Sequence, residues 1–239
     1  MRNTRNIVLI SGGVVLVTVA ILIAAIQWIN WDRYRGDAAR WIGDVTARPV
    51  SIDGPIDVKL FPFPRLYLAG ISIGNPEGDF SGRFFHVESV YARINLTALF
   101  AGKLVLDELR LDRPRVQFEV DPAGHSNWRF SESALNRLQS QTPSILPRQI
   151  WITGGQLQFL NATSNQSERV EIQDFILGLS ADRPTSRIEA LAHFHGVPIR
   201  VHGTLGDVGL WAEGNLEPVS LQLSLIHISE PTRPLYISY

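Results

Sequence analysis

The stretch Arg115-Val116-Gln117-Phe118-Glu119-Val120, followed by Asp121-Pro122-Ala123-Gly124, decides how this chain folds. Val116, Phe118 and Val120 alternate with polar neighbours, so on an extended backbone the three apolar side chains share one face. Asp-Pro-Ala-Gly then forces a turn, through the fixed φ of proline and the freedom of glycine. The same alternation runs outward from this point. Toward the N-terminus it gives Leu109/Leu111, Val90/Ala92/Ile94, Ile71/Ile73 and Leu66/Leu68. Before them come Ile56–Leu60 and Val50–Asp53, the latter closed by Gly54-Pro55. Toward the C-terminus it gives Ile150/Ile152, Leu157/Phe159, Val170/Ile172, Phe175/Leu177/Leu179, Ile188/Ala190/Ala192 and Val197 to Leu205. Short strands separated by turn signals predict a mainly β, largely antiparallel sheet rather than βαβ units.

Three places break the alternation. The apolar parity changes at Ala69-Gly70, between Phe85/Val87 and Val90/Ala92/Ile94, and between Leu104/Leu106 and Leu109/Leu111. Each face of a strand keeps one parity, so every change predicts a bulge or a bend. Periodicity leaves a closed sandwich or barrel and a long, open, curved sheet equally available. Short helices interrupt the strands. Tyr34, Ala38, Trp41, Ile42 and Val45 recur at helical spacing until Arg48-Pro49. Asn95 to Gly102 suits a small packing helix, and Ser131 to Gln141 a second one with Ser131 as its cap. Thr142 to Pro147 reads as a linker.

The N-terminus has a different character. Ile7 to Ile26 is uncharged, with only Ser11 and Thr18 as polar interruptions. At 1.5 Å per residue a helix of this length spans roughly the 30 Å of a bilayer's hydrocarbon core. Trp28, Trp31 and Tyr34 follow where an aromatic belt meets the membrane interface. The run exceeds the apolar core of a cleaved signal peptide, and bulky residues after it leave no small-x-small cleavage site. The expected organisation is a short tip at 1–6, a membrane anchor at 7–29, a β-domain at 30–222 and a separate tail at 223–239. Arginines flank the anchor on both sides, so charge alone leaves orientation open. A long following domain favours the N-terminus inside and the domain outside.

Composition excludes several classes. A net charge of −1 supplies no basic face for nucleic acid. With no cysteine there is neither a disulfide framework nor a thiolate metal site. His193 and His195, with His202 nearby, lack carboxylate or thiolate support and read as solvent-facing strand residues. Gly154-Gly155 and Gly12-Gly13 lack the Lys-Ser/Thr of a phosphate loop, and no serine sits in a Gly-x-Ser-x-Gly elbow. Asp107, Glu108, Glu119 and Asp121 fall on strands and turns where solvation accounts for them. Asn127-Trp128 reads as a turn asparagine beside a packing tryptophan. No enzymatic activity, metal or cofactor is expected.

The tail carries a signature of its own. Leu223 to Arg233 reads as a codon-by-codon translation of a transposase-type sequencing adapter, with Pro234-Leu235-Tyr236 where the barcode falls and Ile237-Ser238-Tyr239 beyond it. The expectation is that the natural protein continues past about Leu221.

Six elements in order, behind the anchor, carry a family resemblance. They are Ala47–Gly54 (ARPVSIDG), Phe61–Leu68 (FPFPRLYL), Ile73–Pro76 (IGNP), Leu99–Leu104 (LFAGKL), Leu109–Val116 (LRLDRPRV) and Asp121–Phe130 (DPAGHSNWRF). Together they resemble the N-terminal region of the AsmA family of Gram-negative bacteria, with Ala47 where the family usually has glycine. The resemblance implies a single-pass inner-membrane protein with its main domain in the periplasm and a role in outer-membrane biogenesis. It further implies an open, curved β-groove of the kind found in bridge-like lipid-transfer proteins, with phospholipid as the partner. The groove candidates are then Leu66, Leu68, Ile71, Ile73, Val90, Ile94, Leu109, Leu111, Val116, Phe118 and Val120. The Phe61–Pro64 stretch is a candidate for the membrane-proximal mouth. Asn95-Leu96-Thr97, Asn161-Ala162-Thr163 and Asn165-Gln166-Ser167 match the glycosylation sequon but are silent in such a compartment. The alternative is a scaffold that binds other envelope proteins by strand pairing at a sheet edge.

Overall fold

The computed structural model describes residues 29–102, 105–129, 147–179, 185–206 and 219–225. Residues 7–28 of the expected anchor at 7–29, Trp28 included, the helix at 131–141 and residues 226–239 of the expected tail at 223–239 lie outside them, as does Leu104. No described helix is long and apolar enough to cross a membrane.

Eleven strands form one mixed sheet. In chain order they are β1 (Val50–Ile52), β2 (Ile56–Lys59), β3 (Arg65–Ile73), β4 (Phe85–Ile94), β5 (Leu106–Asp112), β6 (Arg115–Val120), β7 (Gln149–Asn161), β8 (Gln166–Gly178), β9 (Ser186–Phe194), β10 (Val197–Leu205) and β11 (Val219–Leu225). The spatial order follows the chain, with two splits. β1 and β2 together form one bent edge strand along β3. β5 and β6 likewise form one bent strand, antiparallel to β4 but parallel to β7. The long connection from Val120 to Gln149 permits that parallel pairing, which a tight hairpin could not. The ladder ends at β1/β2 on one side and β11 on the other, so the described sheet is open.

The splits have a common cause. Between Ala69↔Ser89 and Ile71↔Val87, Gly70 faces Glu88. Glu88 in turn faces Arg113 and bonds to it at 2.6 Å. Arg113 faces Gly154, and Gly154 faces Gln173. Gly70, Arg113 and Gly154 have φ of 64°, 47° and 66°, the left-handed region where a side chain is strained. A crease therefore crosses the sheet from β3 to β8, and a bulge at Gln173 absorbs it before β9. In every creased strand the apolar spacing stretches from two to three: Leu68 to Ile71, Val87 to Val90, Leu111 to Pro114, Ile152 to Gly155, Ile172 to Phe175. The edge strand bends at the same line. Asp53 and Gly54 donate to the carbonyls of Gly70 and Ala69, and a Cβ on Gly54 would fall 2.7 Å from the Ala69 oxygen. The parity change after Leu106 is a separate bulge at Asp107.

A 3-10 turn (Trp31–Tyr34) leads into α1 (Arg35–Thr46). Ala38, Ala39 and Ile42 of α1 pack on Ile52, Ile71 and Val87, with Leu68, Phe85, Val90 and Leu111 around them. These residues come from both sides of the crease, so the extra spacing keeps the apolar side chains on one face. α1 ends on Ala47, whose φ of 53° takes the role usually given to glycine. The second short helix, α2 (Leu96–Phe100), is capped by Asn95. It does not pack as expected: Leu99 is 42% and Phe100 84% exposed. Five residues bounded by a loop leave too short an apolar stripe to bury.

Candidate functional site

The apolar face of the sheet is the feature with functional content, and strand register shows how far it extends. Leu68, Val90 and Leu111 are cross-strand neighbours, as are Leu66, Ala92 and Leu109, with Ile94 further along β4. Beyond the crease Ile73, Phe85 and Val116 form the matching row, and Phe118 and Val120 share that face of β6 by alternation. All eleven groove candidates therefore share one face, but not one environment. Leu68, Ile71, Val90 and Leu111 lie in the cluster under α1, with Ile71 only 7% exposed. They are core. Leu66, Leu109, Val116, Phe118 and Val120 are half-buried.

The face continues past β6, where the eleven candidates stop. Leu109 and Leu111 adjoin Ile150 and Ile152, which adjoin Leu177 and Phe175, then Ile188 and Ala190, then Gly203 and Val201. Across the crease Val116 leads to Leu157, Val170, Phe194 and Val197. The alternation of these segments signalled the positions. Only pairing, which joins residues distant in sequence, shows them to be one surface. Among the described residues α1 covers this surface at the β1–β5 end alone.

A polar interlock holds the end of the sheet beyond the crease, and it uses the sequence elements that carried the resemblance. Asn127 is fully buried. Its Oδ1 accepts from the Glu119 N–H at 2.8 Å, and its Nδ2 donates to Asn75 Oδ1 at 2.9 Å and to the Gln117 carbonyl at 2.8 Å. Arg48 Nη2 donates to the Asn127 carbonyl at 2.6 Å, and its guanidinium covers the Phe84 ring at 4.1 Å. Burial pushes the Arg48 pKa down from its ordinary value. The Ala-Arg-Pro, Asn-Pro and Asn-Trp steps thus meet in one place. Trp128 packs edge-on to Phe118 at 5.8 Å and against Phe159 at 6.0 Å, extending an aromatic row along the apolar face.

The carboxylates correct the reading of solvated acids. Glu108, Glu119 and Asp121 are 4%, 5% and 3% exposed, because each is needed as an acceptor inside the sheet. Glu119 takes the Ser81 backbone N–H and hydroxyl at 3.0 Å and Gln117 Nε2 at 3.0 Å. Glu108 pairs with Arg93 at 3.3 Å and with Arg110, whose guanidinium lies between the Tyr91 and Trp151 rings. Burial opposes the charge of Asp121, but the His125 backbone N–H at 2.7 Å and imidazole at 3.1 Å outweigh it and hold its pKa below the usual carboxylate range. His195 is not on a strand: it occupies the β9–β10 turn with φ 51° and bonds Glu168 at 2.7 Å. Among the described residues no group of three His, Cys, Asp or Glu could hold a metal.

The opposite face is polar. A cleft of about 1090 Å³ over it is lined by Arg93, Arg148, Arg187, Asp107 and Glu189 with Trp151, a mixture of both charges unlike the apolar face. At the β2 edge, Asp32 accepts from the Ile56 N–H at 3.0 Å and from Arg35 at 2.8 Å, bonds that hold its pKa down and fasten the 3-10 turn to the sheet. Trp31 and Tyr34 lie in that turn, with ring centroids 5.9 Å apart.

A search of curated proteins found no match. The family model of the AsmA family matches residues 1–178, about three quarters of the sequence and everything from the N-terminus through β8. With the creased sheet and its three interlocking motif steps in place, that match identifies the chain as a member of the AsmA family.

Proposed function

We propose that this protein is anchored in the inner membrane by 7–29, faces the periplasm, and shields and passes phospholipid acyl chains along the apolar face of its sheet. AsmA family membership suggests a role in envelope lipid or protein biogenesis. The observation that carries the lipid reading is the unbroken apolar surface from β3 to β10, kept on one face by the crease and, among the described residues, covered by α1 at one end. An acyl chain needs such a surface, since apolar area removed from water is stabilised by about 25 cal/mol per Å². The headgroup needs none of it and stays wet. No bond is made or broken.

Photo-crosslinking residues at Leu66, Leu68 and Phe118 test this in cells. Leu66 and Phe118 should give phospholipid adducts, and Leu68, under α1, should give far fewer. Adducts to envelope proteins alone would favour the scaffold reading, in which the edge at β1/β2 binds a partner strand.

A further inference from the structure

The end of the sheet at the β2–β3 and β4–β5 connections carries large apolar side chains that no described residue buries. Phe61 and Phe63, between β2 and β3, are 68% and 60% exposed. Phe100 and Leu99 of α2 are 84% and 42% exposed. The two loops are neighbours: Arg65 pairs with Arg93 at that end of β3 and β4, and the Ile94 N–H bonds the Pro64 carbonyl at 2.9 Å. A contiguous apolar patch of this kind marks a surface that contacts something else.

Chain geometry says what. Asp32 is bonded to Ile56, the first residue of β2. Residue 29, where the described residues begin, is three residues from Asp32, so chain length holds it within roughly 11 Å of that bond. β2 then runs from Ile56 to Lys59 away from the end where α1 meets β1, and delivers Phe61 about 17 Å further on. The first described residue and the two apolar loops therefore lie within about 30 Å of one another, on a chain whose preceding segment is uncharged and of bilayer length.

We propose that Phe61, Phe63, Leu99 and Phe100 dock into the interfacial layer of the same bilayer that holds 7–29. This seats the end of the apolar face on the membrane surface instead of leaving the sheet on a free tether. The inference rests on the membrane attachment proposed above. Aromatic side chains suit that layer, where apolar rings are buried while the backbone stays hydrated.

The chain has no cysteine, so single substitutions carry one label each. Full-length F61C, F63C, F100C and S164C proteins would be labelled with an environment-sensitive fluorophore and inserted in phosphatidylethanolamine–phosphatidylglycerol vesicles with shallow spin-labelled lipid. Ser164, in the exposed β7–β8 turn, reports the opposite end of the sheet. The expected result is a blue shift and strong quenching at 61, 63 and 100, with neither at 164. Absence of quenching at all three, equal quenching at 164, or a blue shift without quenching (a protein covering the patch) each overturns the docking. Unchanged melting temperatures show that the variants fold. Lipid adducts at Leu66 and Phe118 that persist without quenching would sink the docking but leave the lipid reading standing. Quenching without adducts would do the reverse.

Discussion

The two halves of the sheet share a strand pattern and differ in what covers it. In the β1–β6 half, α1 lies on the apolar face and Val87 is completely buried, while Asn127, Glu119 and Arg48 lock the loops beyond the crease. In the β8–β10 half the same face continues in register, yet its apolar residues are mostly half-buried. Apolar residues that a fold needs for stability are sealed. A long apolar row left partly open serves something besides stability. The part of the first half under α1 thus behaves as a core with a foundation, and the rest of the face as a surface.

That comparison breaks first at Asn127. Replacing it with alanine strands the Glu119 N–H and the Asn75 amide in a buried site, each costing about 1–3 kcal/mol. Asn127→Ala should lose about 3 kcal/mol or more in the free energy of urea unfolding, and a loss under about 1 kcal/mol would show the interlock to be decoration. A matched pair sharpens the contrast between halves. Val87→Ala should cost about 2 kcal/mol, whereas Val170→Ala on the open half should cost under about 1 kcal/mol. Equal costs would mean that both halves are core.

Two further substitutions have opposite signs for one reason. Gly70→Ala places a Cβ in the left-handed region at the crease and should destabilise by about 1–2 kcal/mol. Ala47→Gly relieves the same strain at the end of α1 and should raise stability by about 1 kcal/mol. Thermal melts of both proteins check this. The smallest effect belongs to Asp121, whose pKa is lowered on folding, so its contribution is present at neutral pH and fades as pH falls through the folded value. The stability gap between the wild type and Asp121→Asn should therefore close in acid. A gap that does not narrow on acidification would contradict it.

The local parts of this architecture were readable from residues alone. Alternation located the strands, and the parity changes at Gly70 and between Val87 and Val90 fell on the crease. Their meaning was not readable, because a crease is a line through six strands and only pairing puts Gly70, Glu88, Arg113, Gly154 and Gln173 side by side. The parallel pairing of β6 with β7 was hidden for the same reason, across the long connection between them. Glu119 and Asp121 were misread as solvated because charge predicts exposure only until a buried backbone needs an acceptor. Asn127 was visible as a turn asparagine beside a tryptophan, but its partners lie 8, 10, 52 and 79 residues away.

The central claim, that the apolar face beyond α1 carries lipid, is tested most directly by two adjacent residues on opposite faces. Ile172 and Ala192 are paired on the apolar face of β8 and β9, and Glu171, the neighbour of Ile172, points to the other. With photo-crosslinking residues at Ile172 and Glu171 in the membrane-embedded protein, position 172 should yield phospholipid adducts and position 171 should not. Equal adducts at both positions, or adducts at neither, would contradict the account.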